Sequence, residues 1–281
     1  MAEQQASRTA QGVAFLRAVH QVMDSPPLIL VDPVIVTLFG ATGLQRMRDD
    51  PDRYQSPSAR GLRAHVVLRS RFAEDRLEAA VKRGIVQYIV LGAGYDTFAY
   101  RQPEWAHEIR VIEIDQPASQ AAKREHLAAA GIAIPPNVTF ADVDFERESL
   151  RQGLDRHGIS TDVPTFFSWL GVTMYLTEDA VDAVLQTVAA FPAGSEIVFT
   201  FSPPREPRRP DQPPSLAELA ASVGEPWLSY FEPEYLEQKL RGLGFHAIEF
   251  LTADQAASRY FRDRADELPA PRRTTIVSAI R

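Results

Sequence analysis

Cysteine is absent from the 281 residues of this chain. Without thiols there can be no disulfide framework, no thiolate metal site and no cysteine nucleophile. Long apolar runs are missing as well, since none approaches the roughly 18 residues that a membrane-spanning helix needs. The polar segment 1–9 also lacks the apolar core of a secretory signal. We therefore expect a cytoplasmic protein that has no membrane partner.

An excess of positive charge is missing too. The chain has 30 lysines and arginines against 37 aspartates and glutamates, which gives a formal net charge of −7. Nucleic-acid-binding proteins usually carry a basic footprint, so we expect no nucleic-acid partner. The histidines do not pair at metal-ligand spacing and the carboxylates are scattered, so we also expect no metal.

Apolar strand-like segments alternate with helical segments from residue 86 onward. The predicted strands are 86–91, 109–114, 138–141, 165–170, 196–201, 246–252 and 274–280, and the predicted helices are 117–130, 146–157, 178–190 and 233–243. This alternation is typical of an α/β fold with a doubly wound, mostly parallel seven-stranded sheet. No strong helical pattern separates the last two strands, which predicts an antiparallel addition at the end of the chain.

The region before the sheet is largely helical in pattern. We expect residues 1–83 to form an N-terminal helical cap on a core of residues 84–281, the whole being one structural domain. The prolines between residues 24 and 33 divide the cap into two helical parts, because proline interrupts helices.

Residues 202–232 form the longest irregular segment and hold seven of the 21 prolines. So long a connection in a compact domain is usually functional. The alternative is a disordered insertion, but such insertions tend to lack aromatic residues, and this one contains Trp227, Tyr230 and Phe231. We predict a lid or substrate loop.

A glycine-rich turn follows the first predicted strand, in the sequence Leu91-Gly92-Ala93-Gly94. Glycine permits a sharp turn and lets a ligand approach the backbone. A strand that ends in G-x-G is the usual place where an α/β fold binds a nucleotide-like cofactor. The third glycine of the dinucleotide pattern is replaced by Thr97, which disfavours NAD. An NAD-dependent oxidoreductase remains an alternative.

Carboxylates end the second predicted strand. Asp115 lies 21 residues after Gly94, close to the spacing at which an acidic residue reaches a ribose hydroxyl in this architecture. Glu113 points to the same side, so either residue could serve, and Asp115 is preferred because it is nearer the carboxyl end. After the third strand, Asp144 and Phe145 could contact an adenine, although aspartate is also an ordinary turn residue there.

A helical segment before the first strand carries two arginines, Arg69 and Arg71. Residues two apart on a helix point to different faces. We expect one of them to reach the site, where arginine can hold a carboxylate through two hydrogen bonds, and the other to reach solvent.

These motifs together resemble the leucine carboxyl methyltransferase family, and more closely its bacterial branch of S-adenosylmethionine-dependent O-methyltransferases. The segments that carry the resemblance are Ser7 to Ala10 with Arg17-Ala18, Arg69 to Asp75, Leu91 to Arg101, Glu113 to Pro117 and Gly171 to Thr177. The resemblance implies a Rossmann-like class I methyltransferase fold with S-adenosyl-L-methionine as cofactor.

The resemblance also implies individual roles. Arg69 would hold the methionine carboxylate, and Gly92 and Gly94 would let the chain pass close to the cofactor. Asp115 would take the ribose hydroxyls, and Asp144 with Phe145 would lie beside the adenine. Ala93 and Gln116 are further residues expected to bind the cofactor. Many members have glutamate where Leu170 stands, so a polar contact to the methionine end is absent or supplied by another residue. A non-catalytic cofactor-binding module is therefore the second alternative.

The methyl acceptor is expected to be a small molecule with a carboxylate or a hydroxyl group. A carboxylate is already ionised at neutral pH, whereas a phenol benefits from a base. His20 and His65 lie in the cap, but for any histidine of the chain a surface or structural role is the stronger expectation. Our candidates for the acceptor site are Thr173 and Tyr175 after the fourth strand, together with His20 and Tyr230.

Overall fold

The computed structural model describes residues 8–145, 147–204, 215–266 and 268–281, and a seven-stranded sheet lies at its centre. The strands are β1 (Gln87–Leu91), β2 (Arg110–Asp115), β3 (Val138–Asp142), β4 (Thr165–Trp169), β5 (Glu196–Thr200), β6 (Ala247–Phe250) and β7 (Ile276–Ile280). Their order is β3-β2-β1-β4-β5-β7-β6. Strands β1 to β5 pair in parallel, and β7 runs antiparallel to both of its neighbours.

The strand order reverses between β1 and β4. The chain moves outward from β1 to β2 and β3, then returns to place β4 on the other side of β1. Ligands of open α/β sheets bind beyond the carboxyl ends of the strands at such a reversal. The turn after β1 and the turn after β4 meet there.

Ten helices surround this sheet in the described part of the chain. They are α1 (Arg8–Met23), α2 (Pro33–Asp49), α3 (Pro51–Gln55), α4 (Pro57–Lys82), α5 (Pro117–Ala129), α6 (Leu150–Arg156), α7 (Glu178–Ala189), α8 (Leu216–Ser222), α9 (Pro233–Gly242) and α10 (Ala253–Tyr260). The first four precede the sheet, and α2 is interrupted at Gly40.

Both faces of the sheet are covered by apolar side chains. One core contains Leu154, Val184 and Leu236 from α6, α7 and α9. The opposite core contains Phe72 and Leu77 from α4. Strands that are buried on both faces are expected to be continuously apolar, and β1 and β4 are buried at every position.

The prediction of a doubly wound, mostly parallel seven-stranded sheet is confirmed, including the antiparallel final strand. Three details differ. A helix, α10, separates the last two strands, and α8 lies inside the 202–232 segment. The predicted helix 146–157 begins only at Leu150, because Ser149 caps it.

None of the helices in the described ranges combines the length and the apolar character that crossing a bilayer requires.

Candidate functional site

A large cavity lies at the carboxyl edge of the sheet, where β1 and β4 end. Its volume is about 2420 Å³, well above the roughly 300–1,000 Å³ of an ordinary small-molecule pocket. Helices α1 to α4 and the segment 215–232 contribute to its other walls. Seven of the eight residues predicted to bind a cofactor line it: Arg69, Gly92, Ala93, Gly94, Asp115, Gln116 and Phe145.

The glycine turn after β1 is fixed by close packing. Gly92 has a φ of +65° and Gly94 a φ of +43°, conformations that favour glycine because they bring a Cβ too close to the carbonyl group. A Cβ on Gly92 would lie 2.4 Å from Cγ2 of Val172, which follows β4. The two turns at the reversal point therefore contact each other directly.

The segment after this turn contains two 3-10 turns, Phe98–Tyr100 and Glu104–Ala106, rather than an α-helix. Dinucleotide-binding folds place a pyrophosphate at the N-terminus of the helix that follows the glycines. This chain lacks that helix between β1 and β2, a stretch that the structure describes in full. The glycine turn is therefore not followed by the helix N-terminus that a pyrophosphate would need.

Asp115 ends β2 and faces the cavity. Its Oδ2 accepts a hydrogen bond from the Gly94 amide at 2.5 Å, and its Oδ1 accepts one from the Gln116 amide at 2.7 Å. Burial raises the pKa of Asp115, and these two amide donors lower it in part. A carboxylate held in this way orients the glycine turn and can accept hydrogen bonds from a diol. Glu113, the other candidate, forms a buried ion pair with Lys123 at 2.7 Å and has a structural role instead.

Arg69 projects from α4 against the turn after β4. A Cβ on Gly171 would lie 2.6 Å from an Arg69 guanidinium nitrogen, so the absence of a side chain there makes room for the arginine. Burial, together with the charge of Arg17, lowers the pKa of Arg69 to about 10. It is therefore still a cation at neutral pH. Among the described residues no carboxylate forms an ion pair with it.

Arg71 has the other predicted orientation. Its guanidinium is exposed and pairs with Asp75 one helical turn away, at 2.8 Å. In this geometry Arg69 faces the cavity and Arg71 faces solvent, as we expect for two helical residues that are two positions apart.

Thr97, noted in the sequence only for replacing a glycine, ties the glycine turn to the N-terminal helices. Its hydroxyl donates to Asp32 at 2.7 Å, and Asp32 caps the start of α2 through the Ile35 amide. Arg17 from α1 donates to the Tyr95 carbonyl and lies 3.9 Å from Asp96. These contacts span 65 and 78 residues, so no local sequence pattern could reveal them.

The side chains of Phe145 and Asp144, which follow β3, lie in different surroundings. Phe145 lines the cavity, whereas Asp144 is buried outside its described lining. The proposed contact of Asp144 with an adenine is therefore not supported by this conformation.

Two of the four acceptor-site candidates line the cavity. Tyr175 and Tyr230 do so. Burial raises the pKa of Tyr175, and hydrogen bonds with Trp227 and Thr9 lower it in part. Tyr175 is thus a neutral phenol at the cavity wall.

The other two candidates, Thr173 and His20, are corrected by the structure. Thr173 is 1% exposed and its hydroxyl donates to the Thr200 carbonyl at 2.7 Å. His20 lies on α1 and is fully buried against the connection to α2, with Nδ1 2.7 Å from Asp24 and Nε2 accepting from the Leu30 amide at 3.4 Å. Both side chains are used for packing within the fold, and neither faces the cavity.

The described end of the 202–232 segment is attached to the turn after β4 and to the first residue of the segment. The Leu228 amide donates to the Met174 carbonyl at 2.6 Å, and the Phe231 amide donates to Ser202 at 2.8 Å. Several of its apolar side chains face the cavity while remaining exposed. They are Leu216, Leu219, Val223, Leu228 and Tyr230, which are 36–52% exposed.

The fold and the site define a Rossmann-like α/β protein that can bind a nucleoside cofactor carrying a carboxylate. Comparison with known proteins makes this specific. The model of the leucine carboxyl methyltransferase family matches residues 10–189, more than half of the chain. The chain therefore belongs to the leucine carboxyl methyltransferase family, which confirms the family predicted from its motifs.

Individual relatives of the chain are also named as methyltransferases. The chain is 29% identical to YktD of Bacillus subtilis, named as a candidate S-adenosyl-L-methionine-dependent methyltransferase, over 96% of each chain. A Frankia alni protein named in the same way is 30% identical over 89% of this chain and 86% of its own.

Solved structures share the fold at low sequence identity. A candidate methyltransferase from Thermobifida fusca has a TM-score of 0.56 at 18% identity, with 98% of this chain and 94% of that chain covered. A DUF574 family protein from Streptomyces avermitilis has a TM-score of 0.56 at 15% identity, with 98% and 97% covered. The predicted fold class is confirmed.

Proposed function

We propose that this chain transfers a methyl group from S-adenosyl-L-methionine to an oxygen atom of a small molecule. The reaction class, methyl transfer, is supported by the membership of the chain in a methyltransferase family. The single observation that supports the cofactor best is Arg69, a cation that faces the cavity beside the glycine turn and has no ion-pair partner among the described residues.

The cavity residues fit this cofactor. Arg69 would bind the methionine carboxylate through two charge-assisted hydrogen bonds. Gly94 leaves the backbone open to close approach, whereas Gly92 makes room for Val172 beside it. Asp115 would accept the ribose hydroxyls, and Phe145 would pack on the adenine. When bound, the cofactor supplies an activated methyl group.

The protein's own contribution is alignment and exclusion of water, since displacement at a sulfonium is in line and needs little covalent assistance. Leu170 and Val172 line the cavity between the two turns and provide an apolar wall. The segment 202–232 and the helices of residues 1–83 would act as a lid and a cap over the acceptor. Tyr175 and Tyr230 would contact the acceptor.

The geometry supports NAD less well. A dinucleotide needs a helix N-terminus for its pyrophosphate, and 3-10 turns follow the glycines here. Thr97 is also engaged with Asp32.

A radiolabelled methyl-transfer assay tests the proposal. Purified protein with methyl-labelled S-adenosyl-L-methionine is expected to label compounds from a panel of phenols, alcohols and carboxylic acids. Calorimetry with S-adenosyl-L-homocysteine is the accompanying measurement. Tight binding without transfer to any oxygen compound would instead support a non-catalytic cofactor-binding module, and no binding would contradict the proposal as a whole.

A further inference from the structure

Large apolar side chains that remain exposed are unevenly distributed over this molecule. Ten such residues are exposed in the described part of the chain, and five of them lie between residues 216 and 230. All five line the cavity: Leu216, Leu219, Val223, Leu228 and Tyr230. The other five, among them Val86 and Ile134, are scattered along the chain and lie outside the described lining. Single exposed apolar residues need no explanation, whereas a cluster of them is typical of a binding surface. We call these five residues the apolar patch.

Helix α8 arranges one half of the apolar patch. Leu216, Leu219 and Val223 are spaced by three and four residues, which places them on one face of α8 and its C-cap. A capping box at Ser215 fixes the start of the helix. Leu228 follows in the segment whose backbone donates to the carbonyl after β4. The patch is therefore a defined surface that faces the cavity.

The cap helices contribute a second apolar part of the lining. Phe15 of α1 packs against Phe39 of α2, with ring centroids 5.0 Å apart, and against Tyr54 of α3 at 5.6 Å. All three rings are partly buried and line the cavity. Aromatic rings offer a large apolar contact area. We call these three residues the aromatic cluster.

The cofactor does not account for the size of the cavity. A pocket for one small molecule occupies at most roughly 1,000 Å³, so a cofactor that used all of this space would leave more than half of the 2420 Å³. The residues that we assign to the cofactor are also separate from the two apolar surfaces. They are Arg69, Gly94, Asp115 and Phe145, and none of them belongs to the apolar patch or to the aromatic cluster. The remaining space is available to the methyl acceptor.

Charge does not select the acceptor in the same way. The described lining contains five arginines and five carboxylates, so neither sign is in excess among these residues. The uneven feature of the lining is its exposed apolar surface, which is the kind of surface that an apolar ligand covers.

We propose that the methyl acceptor carries its reacting oxygen on a large apolar body, of the size of a long-chain or fused-ring molecule, and that the apolar patch and the aromatic cluster bind this body. This inference rests on the proposed function, and it holds for a carboxylate acceptor as for a hydroxyl one. Burial of the apolar body supplies binding energy at a distance from the reacting oxygen, and it excludes water from the site.

A fluorescence titration with anilinonaphthalene sulfonate tests the binding surface without requiring turnover. This dye has a fused-ring apolar body, and its emission rises when the rings leave water. We expect saturable binding at one site per chain in protein that is saturated with S-adenosyl-L-homocysteine. Release of the dye by S-adenosyl-L-homocysteine would overturn the inference, because the two ligands would then share one site.

Substitutions in the apolar patch locate the dye. Leu216→Gln and Leu219→Gln should each weaken dye binding by about fivefold, since each removes part of an apolar contact. Ile134→Gln is the matched control, because Ile134 is 43% exposed against 42% for Leu216 and lies between α5 and β3, outside the described lining. All three variants should keep the wild-type affinity for S-adenosyl-L-homocysteine. Equal dye affinity in the patch variants and the control would overturn the inference.

Methyl transfer to acceptors of graded size tests the consequence for catalysis. The series runs from acetate to tetradecanoate and from phenol to nonylphenol, with each compound kept below its micelle concentration. We expect kcat/KM to rise by about fourfold for each added methylene group that is buried. Leu219→Gln should flatten this rise, whereas Ile134→Gln should reproduce the wild-type series. A kcat/KM that does not depend on the size of the acceptor would overturn the inference.

The remaining outcomes separate this inference from the proposed function. Failure of the wild type to bind S-adenosyl-L-homocysteine would contradict the proposed function itself, whereas size-independent transfer leaves the methyltransferase intact. If no compound of the series is methylated, the dye titration of the patch variants decides. Sedimentation of the wild type provides a further check, because a dimer that dissociates in Leu219→Gln would show that a second copy of the chain covers the patch, and would overturn the inference.

Discussion

Replacement of Gly92 by alanine tests whether the contact between the two turns holds the site together. Two separate costs are expected. The left-handed conformation at φ +65° costs a non-glycine residue about 1–2 kcal/mol. The new Cβ would also lie 2.4 Å from Val172 Cγ2. Because valine is stiff and packed, relief of this contact costs a further 1–3 kcal/mol or so.

Gly158→Ala separates these two costs. Gly158 has nearly the same φ, +62°, but nothing lies within 4 Å of the position that its Cβ would take. We therefore expect Gly158→Ala to destabilise the protein by about 1 kcal/mol and Gly92→Ala by about 3 kcal/mol. In the Val172→Ala background the cost of Gly92→Ala should fall to that of Gly158→Ala.

Urea unfolding followed by circular dichroism, with calorimetric titration of S-adenosyl-L-homocysteine, measures both consequences. Gly92→Ala should lose stability and cofactor affinity together, whereas Gly158→Ala should keep wild-type affinity. Equal destabilisation by the two substitutions would refute the packing cost that we assign to Val172.

Three further predictions concern charge and space at the site and in the cap. Arg69→Gln should weaken S-adenosyl-L-homocysteine binding by about 10–100-fold in calorimetry, the value of a charge-assisted hydrogen bond, whereas Arg71→Gln should have no effect. Gly171→Ala should also weaken binding, because its Cβ would lie 2.6 Å from the Arg69 guanidinium; unchanged affinity would contradict our placement of that side chain. Burial raises the pKa of Asp24, but hydrogen bonds from His20 and Arg63 together lower it by more than burial raises it. The pKa of Asp24 is therefore below the ordinary value of 3.8. The ionised Asp24 carboxylate therefore stabilises the folded protein above pH 3.8, and this stabilisation is lost as the pH falls through the lowered pKa. Asp24→Asn should reduce the free energy of unfolding by about 3–5 kcal/mol at pH 7, measured in urea, and by less below about pH 4. A reduction that does not depend on pH would refute this.

The sheet and the cofactor side of the site could be predicted because their causes are local. An apolar strand that ends in Gly92 and Gly94 predicts both a buried β-strand and a backbone open to a ligand. The position of Asp115 follows from the spacing between strands in this architecture.

Other features escape prediction for identifiable reasons. Helix α10 lies where we expect no helix, although Thr252 and Gln255 form a capping box at its start, a pattern visible in the sequence. The bond between Thr97 and Asp32 connects residues 65 positions apart and has no local pattern. His20 and His65 lie in the same helical region, and only the packing of α1 and α4 determines which of them faces the cavity.

Calorimetric titration of the wild-type chain with S-adenosyl-L-methionine, S-adenosyl-L-homocysteine and NAD tests the central claim most directly. We predict saturable binding of the first two at one site per chain and no measurable heat from NAD. Saturable binding of NAD with no response to the other two ligands would contradict that claim.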